Sequence, residues 1–280
     1  MRSTNGVELA VHLLAGRTGD RPILLTHATG FHALVWAPLA QHLSGYEVYA
    51  PDLRGHGDTP PPISRDMNWD GFADDVLAVV DSMTGTGLDT TDLLAVGHSK
   101  GATALLLAEQ RRPGTFGALY CYEPVANPPE FSLADAGGEN PLAVGALRRR
   151  DQFASRDEAY ANYSGKLPFS ALDPAALRAY VDHGFADQPD GTVRLKCRPE
   201  IESAVYRMGA AHDGFAHLGE IRCPVTIGTG VVSWFGPAAA AATIAEALPD
   251  GRLDSFPELG HFGPLEDPAG IAAAVLAAFA

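Results

Sequence analysis

Gly97-His98-Ser99-Lys100-Gly101 is the segment of this sequence best suited to chemistry. An apolar run, Leu93 to Val96, precedes it, and an Ala/Leu-rich stretch, Ala102 to Leu107, follows it. In a strand, sharp turn and helix of this kind the serine sits at the bend, and its hydroxyl is pushed out of the sheet. The glycines are needed because side chains there would collide with the neighbouring strand and helix. The five-residue pattern is weak by itself; the strand before it and the helix after it supply the context the mechanism demands. A serine hydroxyl is a poor nucleophile until a base takes its proton. Ten histidines are available. His261 is the best placed, because Gly260 before it and Gly263-Pro264 after it mark a loop that follows a strand. His98 adjoins the serine but points elsewhere by strand-to-turn geometry, so it reads as a packing residue, and His12, His42 and His56 read as structural. The backbone amide of Lys100, directly after the serine, is suited to stabilise a developing oxyanion.

The elements that must position these groups alternate along the chain. Val7 to Ala15 alternates apolar and polar residues after an Asn-Gly turn and reads as a half-buried strand. Pro22 to Thr26 is a continuous apolar strand leading into the His27-Ala28-Thr29-Gly30-Phe31 loop, and a helix with Trp36, Leu39 and Leu43 follows. Tyr46 to Ala50 is a strand and Trp69 to Met83 an amphipathic helix; beyond the serine, Phe116 to Tyr122 is a strand ending at Glu123-Pro124. From about Ala126 to Leu218 the strand rhythm stops and polar, proline-punctuated helical stretches take over. It resumes with strand Cys223 to Gly228, helix Ala238 to Leu248, strand Arg252 to Phe256 and helix Pro268 to Ala280. Strands alternating with helices on both sides of this gap predict an α/β fold, a mostly parallel sheet flanked by helices. Residues 126–218 then form an inserted helical cap over the sheet's C-terminal edge, and residues 1–125 and 219–280 form the core.

Composition narrows the classes. With 280 residues and 46% hydrophobic content the chain can bury a full core, and a net charge of −14 opposes binding to nucleic acid or an anionic membrane surface. Cys121, Cys197 and Cys223 are widely spaced and odd in number, as buried thiols in a reducing compartment would be. No signal peptide and no membrane-length apolar run is present, so the cytoplasm is the expected location. His212 and His217 do not have a recognised metal-ligand spacing, and Gly85-Thr86-Gly87 lacks the context of a dinucleotide loop, so neither metal nor cofactor is expected. A small molecule is the expected partner; oligomeric state is not legible.

Four marks in this order resemble the α/β-hydrolase family across nearly the whole chain. They are His27-x-x-Gly30-Phe31, Asp52-Leu53-Arg54-Gly55-His56-Gly57, Gly97-His98-Ser99-Lys100-Gly101 and Gly260-His261-Phe262-Gly263-Pro264-Leu265-Glu266. The resemblance implies that Ser99 is the nucleophile and His261 the base. It also implies that the loop after His27 donates a second oxyanion amide, from Thr29 by count from Trp36, with Phe31 the alternative. The family's usual aspartate follows the strand ending at Gly228, but that loop, Thr229 to Gly236, holds no carboxylate and offers Ser233 in the slot. A minority of the family, haloalkane dehalogenases among them, place the acid after the strand that follows the elbow helix, and Glu123 matches that position. Asp254, Glu258 or a dyad without an acid are the other options.

The implied activity is a serine hydrolase cleaving an ester, lactone or thioester through an acyl-enzyme on Ser99. Dehalogenases and epoxide hydrolases of this fold use an aspartate nucleophile, which the serine opposes. The same residues could instead serve carbon–carbon hydrolysis, perhydrolysis or cyanohydrin cleavage, or the protein could be a non-catalytic ligand-binding member. In the cap, Phe131, Phe153, Tyr160, Tyr163, Phe169, Tyr180, Phe185 and Tyr206 are expected to form its core and wall a pocket, and Arg148-Arg149-Arg150 reads as a solvated helix end.

Overall fold

The computed structural model of the protein describes residues 1–128, 139–209, 211–231 and 236–280. In chain order the strands are β1 (Val11–Ala15), β2 (Arg21–Thr26), β3 (Tyr46–Pro51), β4 (Leu94–His98), β5 (Ala118–Tyr122), β6 (Gln152–Phe153), β7 (Phe185–Asp187), β8 (Val193–Leu195), β9 (Val225–Thr229) and β10 (Gly251–Ser255). The helices are α1 (Ala37–Ala40), α2 (Trp69–Gly85), α3 (Lys100–Arg111), α4 (Pro141–Leu147), α5 (Arg156–Ser164), α6 (Pro174–Gly184), α7 (Pro199–Met208), α8 (Pro237–Ala247), α9 (Gly263–Glu266) and α10 (Pro268–Ala278). A seven-stranded sheet runs in the order β1-β3-β2-β4-β5-β9-β10. Only β1 is antiparallel to its neighbour; the other pairings are parallel.

Both faces of the sheet are covered, and the period-two rule sorts its residues. Leu24, Ala95, Leu119 and Ile227 face one buried cluster, with Phe72, Val76, Leu105 and Ile244 from α2, α3 and α8. Ile23, Leu25, Val96 and Tyr120 face the other, with Trp36, Leu39, Ile271 and Val275. Buried on both faces, the central strands β2 and β4 read as continuous apolar runs, as parallel strands do.

Three local expectations differ from the structure. The first strand begins only at Val11, because Asn5 and Gly6 adopt φ of +57° and +73° in a tight turn that lets the Leu9 amide reach the Met1 carbonyl at 2.7 Å. The helix after Phe31 is a 3-10 turn, Ala33–Trp36, followed by the four-residue α1; Pro38 in its first turn supplies no amide, and Leu43 lies beyond it. Strand pairing also continues between β5 and β9, where β6, β8 and β7 form a small antiparallel sheet. Those strands are two or three residues long, too short for an alternation to show in the sequence.

Candidate active site

Ser99 links β4 to α3 with φ +52° and ψ −116°, a conformation that costs a residue bearing a Cβ about 1–3 kcal/mol. The turn exists because both flanking residues are glycine. A Cβ on Gly97 would lie 2.4 Å from Ala102 Cα, and one on Gly101 would lie 2.3 Å from the Thr26 carbonyl oxygen. The bend is held by the Ser99 amide donating to the Tyr122 carbonyl at 2.9 Å and the Ser99 carbonyl accepting the Thr103 amide at 3.0 Å. Ser99 is 7% exposed. The Lys100 amide opens α3, where backbone donors have no intrahelical partner.

His261 stands between β10 and α9, on a loop fixed by the side chains of Tyr122, Glu266 and His98. The Tyr122 hydroxyl donates to the Gly260 carbonyl at 2.8 Å. The Glu266 carboxylate accepts the Gly260 amide at 2.7 Å and the Phe262 amide at 3.2 Å. His98 Nε2 donates to the His261 carbonyl at 2.7 Å, so the residue read as packing anchors the loop. Burial holds the His98 imidazole well below its ordinary pKa, in the neutral form. Gly263 has no alternative, since a Cβ there would lie 2.2 Å from the Tyr122 hydroxyl.

Glu123, 2% exposed at the end of β5, reaches this histidine. Its Oε2 lies 2.5 Å from His261 Nδ1, and its Oε1 accepts the Gly230 amide at 2.9 Å and the Thr229 hydroxyl at 3.4 Å. The carboxylate therefore favours a proton on Nδ1 and leaves Nε2 unprotonated. The loop after β9, which holds no carboxylate, instead supplies the amide that orients one. Ser233 lies outside the described residues. Asp254 accepts the Tyr120 hydroxyl at 3.3 Å and Glu258 is exposed, so neither is the partner of His261. No hydrogen bond joins Ser99 Oγ to His261 Nε2 among the described residues; the two are neighbours through His98, whose ring centroid lies 5.0 Å from that of His261. Such bonds are commonly loose before substrate binds.

The loop after β2 faces the same bend. The Leu53 amide donates to His27 Nε2 at 3.0 Å, so the proton sits on Nδ1, which donates to the Ala28 carbonyl at 2.8 Å. Burial first, and the nearby Lys100 ammonium second, keep this imidazole neutral. Gly30 turns the loop with φ +79°, and the Phe31 amide is used on the Ala28 carbonyl at 3.3 Å. Among the described residues the Thr29 amide has no protein acceptor. The turn that follows β3 is held by its own acid. Asp52 accepts the Ala33 and Asp58 amides at 2.7 and 2.9 Å, and a Cβ on Gly57 would lie 2.2 Å from its carboxyl carbon. His56 is buried with Nδ1 2.8 Å from the Arg54 carbonyl.

Two features escaped the sequence. The Lys100 ammonium is buried 3.4 Å from both nitrogens of His56 and 4.7 Å above the Phe72 ring. Arg149 is not part of a solvated helix end: only Arg148 and Arg150 are exposed. Arg149 turns inward to Glu202 at 2.8 Å and to the hydroxyls of Tyr163 and Tyr180, because α7 carries Glu202 against the end of α4. Phe131 lies outside the described residues. Tyr163, Phe169 and Tyr180 form an aromatic group with Phe31, which in turn packs 5.2 Å from Phe262 beside His261. Among the described residues His12, Asp52 and Asp58 form a cluster of metal-ligating type. Its carboxylates already bind two backbone amides and Lys196, at 2.6 Å from Asp58, as structural anchors do. Among the described residues no helix is long and apolar enough to cross a membrane.

Comparison with known proteins agrees with this architecture. The chain is 28% identical over 263 residues to the pimeloyl-[acyl-carrier protein] methyl ester esterase of Aromatoleum aromaticum, covering 89% of this chain and 94% of that one. It is 28% identical to lipase LipV of Mycobacterium tuberculosis over 93% of its own length and 94% of the lipase. Its fold matches that of E-2-(acetamidomethylene)succinate hydrolase with a TM-score of 0.81 at 20% identity, over 100% of this chain and 98% of the other. The profile of the Alpha/beta hydrolase family matches residues 23–274. This chain belongs to the alpha/beta hydrolase family.

Proposed function

We propose that the protein is a serine hydrolase that cleaves a carboxylic ester, lactone or thioester through an acyl-enzyme on Ser99. The observation that carries this reading is the pairing of Glu123 Oε2 with His261 Nδ1 at 2.5 Å, on a loop pinned to the residue next to Ser99. His261 Nε2 takes the Ser99 proton as Oγ attacks the carbonyl carbon. The Thr29 and Lys100 amides receive the charge that develops on the carbonyl oxygen. The imidazolium, offset by Glu123, then protonates the departing alkoxide or thiolate. A water molecule activated by the same imidazole hydrolyses the acyl-enzyme and returns the proton to Ser99. Residues 126–218 act as a cap whose aromatic residues wall the pocket. Support for ester chemistry also comes from the methyl ester esterase and the lipase among the relatives.

A panel of p-nitrophenyl esters and lactones tests the reading, with Ser99→Ala as control. Turnover of at least one substrate is expected, reduced about 10⁴-fold or more in kcat in the variant. Turnover that persists in the variant, or a wild-type protein inert to the whole panel, would refute it.

A further inference from the structure

We propose that Arg149 and Glu202 form a recognition site for a neutral carboxamide-like group on the acyl part of the substrate. This rests on the reading of Ser99 as nucleophile and Thr29 as oxyanion donor, because the pair packs against Gly30, which follows Thr29. Arg149 commits Nε and Nη2 to the Tyr163 and Tyr180 hydroxyls, and one Nη1 hydrogen to Glu202 Oε2 at 2.8 Å. Among the described residues the second Nη1 hydrogen and Glu202 Oε1 have no protein partner. Both atoms face the loop that carries Thr29. A Cβ on Gly30 would lie 2.7 Å from Oε1 and 3.5 Å from Nη1. Glycine at this position thus leaves a donor and an acceptor side by side, one residue from the proposed oxyanion amide. The pair is nearly dry, with side chains 15% and 8% exposed.

Charge and geometry select the ligand. The arginine alone would favour a carboxylate, but Glu202 cancels that charge and its free oxygen repels an anion at short range. A carboxamide matches both atoms, its oxygen accepting from Nη1 and its nitrogen donating to Oε1. A branched alkyl group of the same shape satisfies neither the second Nη1 hydrogen nor Oε1, a basis for rejection.

The experiment uses three isosteric series of methyl esters: the monoamides of four- to six-carbon diacids, their monocarboxylates, and analogues ending in an isopropyl group. In the wild type, kcat/KM for the best amide is expected to exceed that of its isopropyl analogue by about tenfold or more. Glu202→Gln, which keeps an acceptor for Arg149 but removes the negative charge, is expected to shift the amide-to-carboxylate ratio about tenfold toward the carboxylate. Calorimetric binding of the same intact esters to Ser99→Ala protein is measured in parallel. Selective amide binding by a protein that hydrolyses no ester would sustain this inference while the esterase reading fails. Equal handling of amide and isopropyl compounds in both turnover and binding, or a wild-type preference for the carboxylate, would overturn it. The wild-type arms decide the matter even where Glu202→Gln does not fold.

Discussion

Glu123→Gln is expected to lower kcat about 10³- to 10⁴-fold while leaving the fold and the Ser99 turn in place. The Gly230 amide, 2.9 Å from Oε1, fixes which end of the new side chain points where. With its carbonyl oxygen kept on Gly230, the glutamine turns its NH₂ toward His261 Nδ1. Nδ1 must then accept a hydrogen bond, the proton moves to Nε2, and the base can no longer receive the Ser99 proton. The imidazolium formed during attack also loses the buried charge that offsets it. Steady-state kinetics, with a circular dichroism melt to confirm folding, checks this. A folded variant with near-wild-type kcat would remove Glu123 from the mechanism and return the choice to a dyad.

Lys100→Met is expected to stabilise the protein by roughly 3–5 kcal/mol at pH 6. Burial pushes the Lys100 ammonium from its ordinary 10.5 down to about 7, against smaller opposing effects of Cys197, Asp75 and Asp52. Between those two pH values the unfolded chain binds a proton that the folded chain lacks, so stability rises with pH. Below about pH 7 both states hold the proton, and the folded protein bears the full cost of a buried ammonium that, among the described residues, has no carboxylate in contact. Methionine has similar length, keeps the contact with Phe72 and removes the titration; the backbone amide is unchanged. Urea unfolding of both proteins from pH 6 to 10 should show a gap that is largest at low pH and shrinks as pH rises. A gap independent of pH, or a variant less stable at pH 6, would contradict this account of the side chain.

What the sequence revealed depended on how local the cause was. The turn at Ser99 was legible because a strained bend between two elements requires glycine at both Gly97 and Gly101, and these lie within five residues. The central strands were legible because burial on both faces leaves continuous apolar runs, as in Leu93 to Val96. Glu123 could be reached only by matching its position to that of a family minority, since nothing near it in the chain signals a partner at residue 261. The supports of the base loop were illegible for a similar reason. Tyr122 and His98 look like ordinary strand residues until the sheet brings them to Gly260 and His261. Glu266 carried a faint signal, four residues after Phe262, where a carboxylate can turn back on its own loop. Arg149 was misread because three consecutive arginines resemble a solvated surface. Only the packing of α7 on α4 reveals that the middle one faces Glu202. The short strands β6, β7 and β8 failed for want of length rather than of pattern.

The proposed chemistry depends on Ser99 being a nucleophile activated by His261. Labelling the native protein with a fluorophosphonate probe between pH 6 and 9, and locating the adduct by peptide mass spectrometry, tests it most directly. One adduct is expected, on Ser99, with labelling abolished in Ser99→Ala and slowed at least about 100-fold in His261→Ala. Native protein that stays unlabelled across that range, or that carries the adduct on another residue, would contradict it.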